Sequence, residues 1–354
     1  MNATVKNIEM LEKLYEGRSA FYGDFHNHSK SGGKSDGGVE LSDWKKELSN
    51  LGMDFATIVD HCQVLHMYHK DWDKSVFIGG TEPGTIIKDA VAENKRIHYN
   101  MIFTDPKGLE NLLNKFTEFN FEGKWDGFFT YPEFYRERFL ELVQTVKDNG
   151  GFFVHPHPTQ CMVAEDVLQY WFGNETGFEI FYMDLRGDES KANYELWCKI
   201  LAKGKRIWAT AGQDGHNHPS VDALLTVYAQ ERLNESYLAN IKTGDMTCGG
   251  VGIKMCIGDT KMGANTSFEG KTLVVSAQNF HKSMINGHKY KLVVLNDKGI
   301  VDEKEINPEE KTYFEYSAEN CDFYRAEVID VTEDLRVAIG NPIWNLDSKN
   351  VDFN

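Results

Sequence analysis

From Phe21 to Thr210 short apolar runs alternate with amphipathic stretches, and run after run ends on an ionisable side chain. Phe21-Tyr22-Gly23-Asp24-Phe25-His26-Asn27-His28-Ser29 reads as a strand, and alternate residues of a strand share a face. Asp24, His26 and His28 therefore project together, two imidazoles converging with a carboxylate beside them to ligate or to orient. Asp60-His61 follows Phe55-Ala56-Thr57-Ile58-Val59, and Glu82 follows Val76-Phe77-Ile78-Gly79-Gly80. His98 lies inside Arg96-Ile97-His98-Tyr99-Asn100-Met101, and His155 closes Phe152-Phe153-Val154 after the paired glycines 150 and 151. Asp214 and His216 follow Arg206-Ile207-Trp208-Ala209-Thr210. Solubility alone gives no reason for carboxylates and imidazoles to recur at these positions. His, Asp and Glu without cysteine suit a multinuclear catalytic site better than a structural zinc knot.

Between these runs the spacing predicts helices. One begins at a Ser42 cap and stops at Gly52. A second spans 133–147, with Phe134, Phe139, Leu140, Leu142, Val143 and Val146 near one face, and a third spans 190–203, ending at Gly204. Strands are expected at 151–155, 177–182 and 206–211. Strand, helix and strand in repetition imply an α/β fold with parallel pairing and right-handed crossovers. Ligands at the C-terminal strand ends are where a barrel of this kind keeps its active site. Segment 106–133, with Gly108, Gly123, Gly127 and several aromatics, reads as an inserted loop that could serve as a lid.

After about residue 250 the pattern changes. Runs at 271–277, 289–295, 311–316, 323–329 and 336–340 are separated by turn signals such as Asn286-Gly287 and Asn307-Pro308. They predict a small antiparallel β-sandwich over 251–354 behind a barrel over 1–250. The later part holds His281 and His288 but no ligand cluster, which suits a supporting or oligomerising role, so a homo-oligomer is possible.

Composition narrows the function. A chain of 354 residues is long for one compact domain, and 41% hydrophobic residues supply an ample core. A formal charge of −16 argues against a nucleic-acid surface and against anionic membranes. An anionic substrate remains compatible if divalent cations are the largest local charges. The six cysteines are scattered with no CxxC pair, so neither a disulfide framework nor a cysteine zinc site is indicated. Met1 to Gly17 has no apolar secretory core and no stretch reaches the roughly 18 apolar residues of a membrane span. The expected compartment is the cytoplasm.

The ordered set Asp24-x-His26-x-His28-Ser29, Asp60-His61, His155-Pro156 and Asp214-x-His216, with Glu82 and His98 between, resembles the polymerase and histidinol phosphatase (PHP) family of metal-dependent phosphoesterases. The likeness covers roughly residues 20 to 220. Tyr324-Arg325-Ala326-Glu327-Val328 and Gly340-Asn341-Pro342-Ile343-Trp344 are similar to the carbaryl-hydrolase-like (CehA/McbA-like) branch. The resemblance implies a distorted (βα)7 TIM-like barrel holding two to three divalent ions, with Zn, Mn and Fe about equally suited. It implies that His26, His28, Glu82 and Asp214 hold the first ion, and that Glu82, bridging, holds the second with His98 and His155. His61 and His216, with Asp36 of Ser35-Asp36-Gly37, would hold a third. Asp60 would accept a bond from a ligand imidazole. Glu179-Ile180-Phe181 is commonly followed by Asn in the family, whereas Tyr182 stands here, a departure that touches substrate contacts.

Such a site shares a water between two cations, lowers its pKa and presents hydroxide to a phosphorus or carbonyl centre. The expected activity is hydrolysis of a small phosphorylated molecule, mono- or diester, with Glu82 and Asp214 central. Carbamate or other ester hydrolysis, or a metal-binding barrel without activity, are the alternatives. His157 could protonate a leaving group, against its reading as an exposed loop residue, and His218 invites the same pair of readings. His66 and His69 fit a solvated face. Arg186 could grip a phosphate or pair with Asp184 or Asp188. Gly32-Gly33-Lys34-Ser35 ends like a phosphate loop, but the required earlier glycine is His28, so that reading is rejected.

Overall fold

The computed structural model describes residues 2–31, 35–89, 96–119, 132–161, 173–284 and 287–353. Apolar, β-branched and aromatic runs form seven neighbouring strands in the order Ile207–Gly212, Thr176–Tyr182, Phe152–His155, Asn100–Phe103, Phe77–Thr81, Phe55–Ile58 and Ser19–Asn27. Both ends of this path meet beside the ligand residues. Asn27 bridges Gly215 in parallel, with the His28 amide donating to the Gly215 carbonyl at 2.8 Å. Helices Pro106–Lys115, Arg136–Asp148 and Asp188–Leu201 lie against the sheet, and Leu109, Leu112, Phe139, Leu142, Val146, Leu196, Trp197 and Ile200 join its core.

Strand pairing is mixed rather than uniformly parallel. Asn100–Phe103 runs antiparallel to both Phe77–Thr81 and Phe152–His155, whereas the other pairs along the path are parallel. The segment 96–101, which reads as one strand, is divided. Arg96–His98 pairs with Gly84–Ile87 in a separate small sheet, and only Asn100 onward enters the main sheet. The chain thus returns without a crossover helix, and a connection of that kind permits antiparallel entry.

Other expected boundaries shift. The Leu41–Leu51 helix starts from Glu40 without a side-chain cap, so Ser42 lies inside it, and Gly52 ends it at φ 81°. Helix 133–147 begins at Arg136, because Glu133–Phe134 pairs with Ile86–Ile87. The expected lid is in part a packed element. Asp105 caps Pro106–Lys115 by accepting from the Lys107 amide, and Phe116 and Phe119 are buried behind it. Residues 120–131 of that segment lie outside the described residues.

The later strands form two antiparallel layers around Ile253, Met255, Val275, Val294, Ala326 and Val328. One layer is Thr260–Lys261, Val251–Ile257, Thr272–Phe280 and Thr312–Ser317. The other is continuous with the main sheet. Ser19–Asn27 pairs with Leu225–Ala229, then Met246–Gly249, Leu335–Gly340, Phe323–Asp330, Tyr290–Asn296 and Gly299–Ile306 follow. Strand pairing therefore runs across residue 250. Leu11 and Tyr15 of the N-terminal segment pack on Cys256 and Val274, and Val351 joins the core of the main sheet. A buried ionic cluster adds to this. Glu327 accepts from Arg336 Nε at 2.7 Å and from the Tyr194 hydroxyl, on the Asp188–Leu201 helix, at 2.6 Å. No described helix is long and apolar enough to cross a membrane.

Deleting residues 251–354 strips Met246–Gly249 of its Leu335–Gly340 partner and uncovers Leu11 and Tyr15. The truncated chain is expected to lose cooperative thermal unfolding, as followed by circular dichroism. A truncated chain that unfolds as sharply as the whole would show the first part to be independent.

Candidate metal centre

Glu82 follows directly on Phe77–Thr81, its amide donating to the Val59 carbonyl at 3.1 Å, and its side chain is buried at the centre of the site. The two carboxylate oxygens face different imidazoles. Oε2 lies 3.0 Å from His26 Nε2, 3.1 Å from His28 Nε2 and 3.6 Å from His61 Nδ1. Oε1 lies 3.0 Å from His98 Nδ1 and 3.1 Å from His157 Nε2. Burial alone would raise this carboxyl, but His26, His61 and His157 hold it well below the usual range.

Three groupings result, each with its donor atoms within 4.8 Å of one another. The first is His26, His28, Glu82 and Asp214. Asp214 Oδ1 lies 3.0 Å from His28 Nε2 and 3.4 Å from His26 Nε2. The second is Glu82, His98 and His157, and the third is His28, Asp36, His61 and His216. A neutral imidazole has one lone pair, so His28 Nε2, turned to Glu82 and Asp214, leaves Asp36, His61 and His216 to the third. Donors about 2.1 Å from a tetrahedral ion lie about 3.4 Å apart, and adjacent ones on an octahedral ion about 3.0 Å. The spacings from Glu82 to His26, His28, His98 and His157 and from Asp214 to His26 and His28 fall in that range. The donor set therefore fits divalent ions.

Surrounding groups fix the imidazole tautomers. Glu179 Oε1 sits 3.2 Å from His26 Nδ1. His61 Nδ1 is 3.0 Å from the Glu82 carbonyl and His216 Nδ1 is 2.7 Å from the Asp214 carbonyl. With Nδ1–H so engaged, the Nε2 atoms of His61 and His216 face Asp36 Oδ2 at 3.5 and 3.3 Å. Ligand histidines are commonly oriented by an outer hydrogen bond of this kind. Tyr182 donates its hydroxyl to Asp214 Oδ2 at 3.0 Å, leaving Oδ1 for the imidazoles. Burial first, then the Asp214 charge, push the phenol far above its ordinary value. Asp24 Oδ1 accepts the His26 and Gln213 amides, and burial pushes its carboxyl up to about 8. Asp24 orients the backbone and is not in a ligand grouping.

Backbone irregularities sit at the same strand ends. Asp214 and His157 have positive φ of 52° and 29°, conformations that non-glycine residues hold only when surrounding contacts over-determine them. At Gly212 a Cβ would lie 2.4 Å from both Glu179 Oε1 and His26 Cβ. At Gly37 it would lie 2.5 Å from the His28 carbonyl carbon. The segment Ser35-Asp36-Gly37 thus lies directly on the backbone of His28 and Ser29, which brings Asp36 to the site.

One expected ligand falls outside the groupings of the described residues. His155 ends Phe152–His155 with its ring against Phe153 and Phe178, at centroid distances of 5.1 and 6.3 Å. Burial pushes it down to about 3, so it is neutral, and it belongs to no ligand grouping among the described residues. Pro156 ends the strand, His157 takes the left-handed turn, and its amide donates to Glu179 Oε2 at 2.7 Å. That turn carries the imidazole of His157 to Glu82, so His157 is buried and not an exposed loop residue. Asp60 also differs from expectation. It accepts from Ser29, Ser31 and Gln63 and lies 3.2 Å from His66 Nδ1, rather than supporting a ligand imidazole. His66 is accordingly buried, not on a solvated face. His218 is exposed, and Arg186 donates its amide to Asp184. Sequence reasoning gave Glu179 no role. Its signal is a carboxylate inside the apolar run Gly177-Phe178-Glu179-Ile180-Phe181.

Replacing His157 with alanine is expected to remove about one bound ion per chain, whereas His155→Leu keeps the wild-type content. Elemental analysis after reconstitution distinguishes them, and the reverse pattern would restore His155 as the ligand.

No family model and no curated protein matches the chain. Among solved structures, a two-domain protein from Bacteroides vulgatus, described as containing a predicted PHP-like metal-dependent phosphoesterase, aligns at 15% identity and TM-score 0.43. The alignment covers 93% of this chain and 96% of that one. The lesion-specific endonuclease Q of Pyrococcus furiosus aligns at 13% identity and TM-score 0.45, over 63% of this chain and 56% of that one. Neither supports the carbaryl-hydrolase-like branch. These are distant likenesses, and the reading of the site rests on its own geometry.

Proposed function

We propose that the protein is a metal-dependent hydrolase of phosphoesters, its ions held by His26, His28, Glu82 and Asp214, by Glu82, His98 and His157, and by Asp36, His61 and His216. One observation carries the reading: a single buried carboxylate whose two oxygens face two separate sets of imidazoles. A carboxylate can serve two cations in that way, since each oxygen accepts one.

Charge supports the substrate class. Among the described residues the charge partners of Glu82, Asp214 and Asp36 are imidazoles, not lysine or arginine. With no lysine or arginine paired to these carboxylates among the described residues, bound cations would supply the lasting positive charge. When bound, divalent ions activate water and offset the charge that builds on an ester's oxygens. The chain's own residues prepare that chemistry. Glu179 sets His26 and the His157 turn, and Tyr182 turns Asp214 Oδ1 inward. The Glu82 and Asp214 carbonyls hold His61 and His216 with Nε2 toward Asp36. Asp36 and His216 are the more exposed members, so the third grouping marks the side from which an ester enters.

Protein reconstituted with Mn or Zn is expected to hydrolyse an aryl phosphate or a phosphodiester, and a chelator is expected to abolish turnover. Glu82→Gln offers one neutral oxygen in place of two charged ones. It should loosen two ions together and cut turnover by at least about 100-fold, the upper range for losing even an outer support of a metal. A metal-loaded protein inactive across phosphomonoesters and phosphodiesters would refute the assignment, as would a Glu82→Gln variant with full metal content and normal turnover.

A further inference from the structure

Four of the site imidazoles have their outer nitrogen held by a neighbour in this structure, and three of those neighbours are oxygens. His26 Nδ1 meets Glu179, His61 Nδ1 the Glu82 carbonyl and His216 Nδ1 the Asp214 carbonyl. His157 differs. Its Nε2 faces Glu82 Oε1 at 3.1 Å, and its Nδ1 lies 3.3 Å from Cys161 Sγ. Both side chains are buried.

The contact is built by the local fold. His157 and Cys161 are four residues apart, and Cys161 lies on the helical segment Pro158–Cys161. The Gln160 amide donates to the His157 carbonyl at 3.0 Å. Thr159 is fastened to Asn193 Oδ1 through its amide at 3.2 Å and its hydroxyl at 2.7 Å. At the other end Glu179 holds the His157 amide. The segment is pinned on both sides of the ring, so the thiol has a fixed place beside Nδ1.

We infer that Cys161 is a positioning residue for His157: its sulfur accepts the Nδ1–H and so leaves the Nε2 lone pair for the ion shared with Glu82 and His98. The inference rests on the reading of His157 as a metal ligand. A neutral imidazole carries one N–H and one lone pair, so whatever accepts from Nδ1 decides which nitrogen can ligate. Cys161→Ala removes that acceptor and leaves Nδ1–H buried without a partner. Outer supports of this kind are worth about 10- to 100-fold in metal affinity, and a serine hydroxyl can take the same hydrogen bond.

The test is a zinc titration, read ion by ion with a competing chelating dye, on wild type, Cys161→Ala and Cys161→Ser. In Cys161→Ala one ion is expected to weaken about 10- to 100-fold while the others keep their affinity, and Cys161→Ser is expected to recover most of the loss. A general loosening of the fold would instead weaken all ions together, and that outcome overturns the inference, as does an alanine variant indistinguishable from wild type. Independently of any variant, 1H–15N spectra of zinc-loaded wild type should show a His157 Nδ1–H signal in contact with the Cys161 methylene. Its absence overturns the inference even if Cys161→Ala does not fold. If zinc leaves the His157 ring resonances of wild type unmoved, the ligand reading itself fails and the inference with it.

Discussion

One buried carboxylate governs this molecule. Glu82 has five imidazoles within 3.6 Å of its oxygens, and Asp214 adds a second carboxylate against two of the same rings. Buried charge is costly unless it is paired or coordinates a metal. The arrangement around it follows from that cost. Strand ends, two left-handed residues and close glycine contacts combine to bring donors from seven segments to one point. Glu179, Tyr182 and backbone carbonyls then take up the nitrogens and oxygens that face away.

Among the described residues, those beyond 250 contribute no donor to this centre, yet they are joined to it through a continuous sheet. Ser19–Asn27, which delivers His26, is hydrogen-bonded to Leu225–Ala229, and pairing runs on without a break to Gly299–Ile306. The Arg325, Glu327 and Arg336 cluster meets Tyr194 on a helix packed against the main sheet. A buried cluster of this kind gives little net stability, but losing one partner is expensive. It therefore fixes how the layers sit more than it strengthens them.

Much of the site could be read from the sequence because the rule that places it is short. Alternation in a strand brings His26 and His28 together, and an ionisable residue after an apolar run marks the strand's end at Glu82 and Asp214. At His155 the same rule finds the strand end but not the ring's surroundings. His155 ends its strand as expected, but the ring lies on the aromatic side with Phe153. The imidazole that faces Glu82 is that of His157, two residues on, after a turn whose positive-φ backbone is held by Glu179, 22 residues away. Periodicity carries no information about such a contact. The division at Tyr99 is hidden for a related reason: Arg96–His98 and Asn100–Phe103 follow one another with a single residue between. Asp60 and His66 pair across a loop, and nothing in their spacing separates that from a solvated turn.

The most direct test of the shared carboxylate is anomalous diffraction from crystals of the zinc- or manganese-loaded protein, recorded at the metal's absorption edge. The account predicts separate peaks on the two sides of Glu82, one among His26, His28 and Asp214 and the other between His98 and His157. A single peak confined to Asp36, or a peak beside His155 with none at His157, would contradict it.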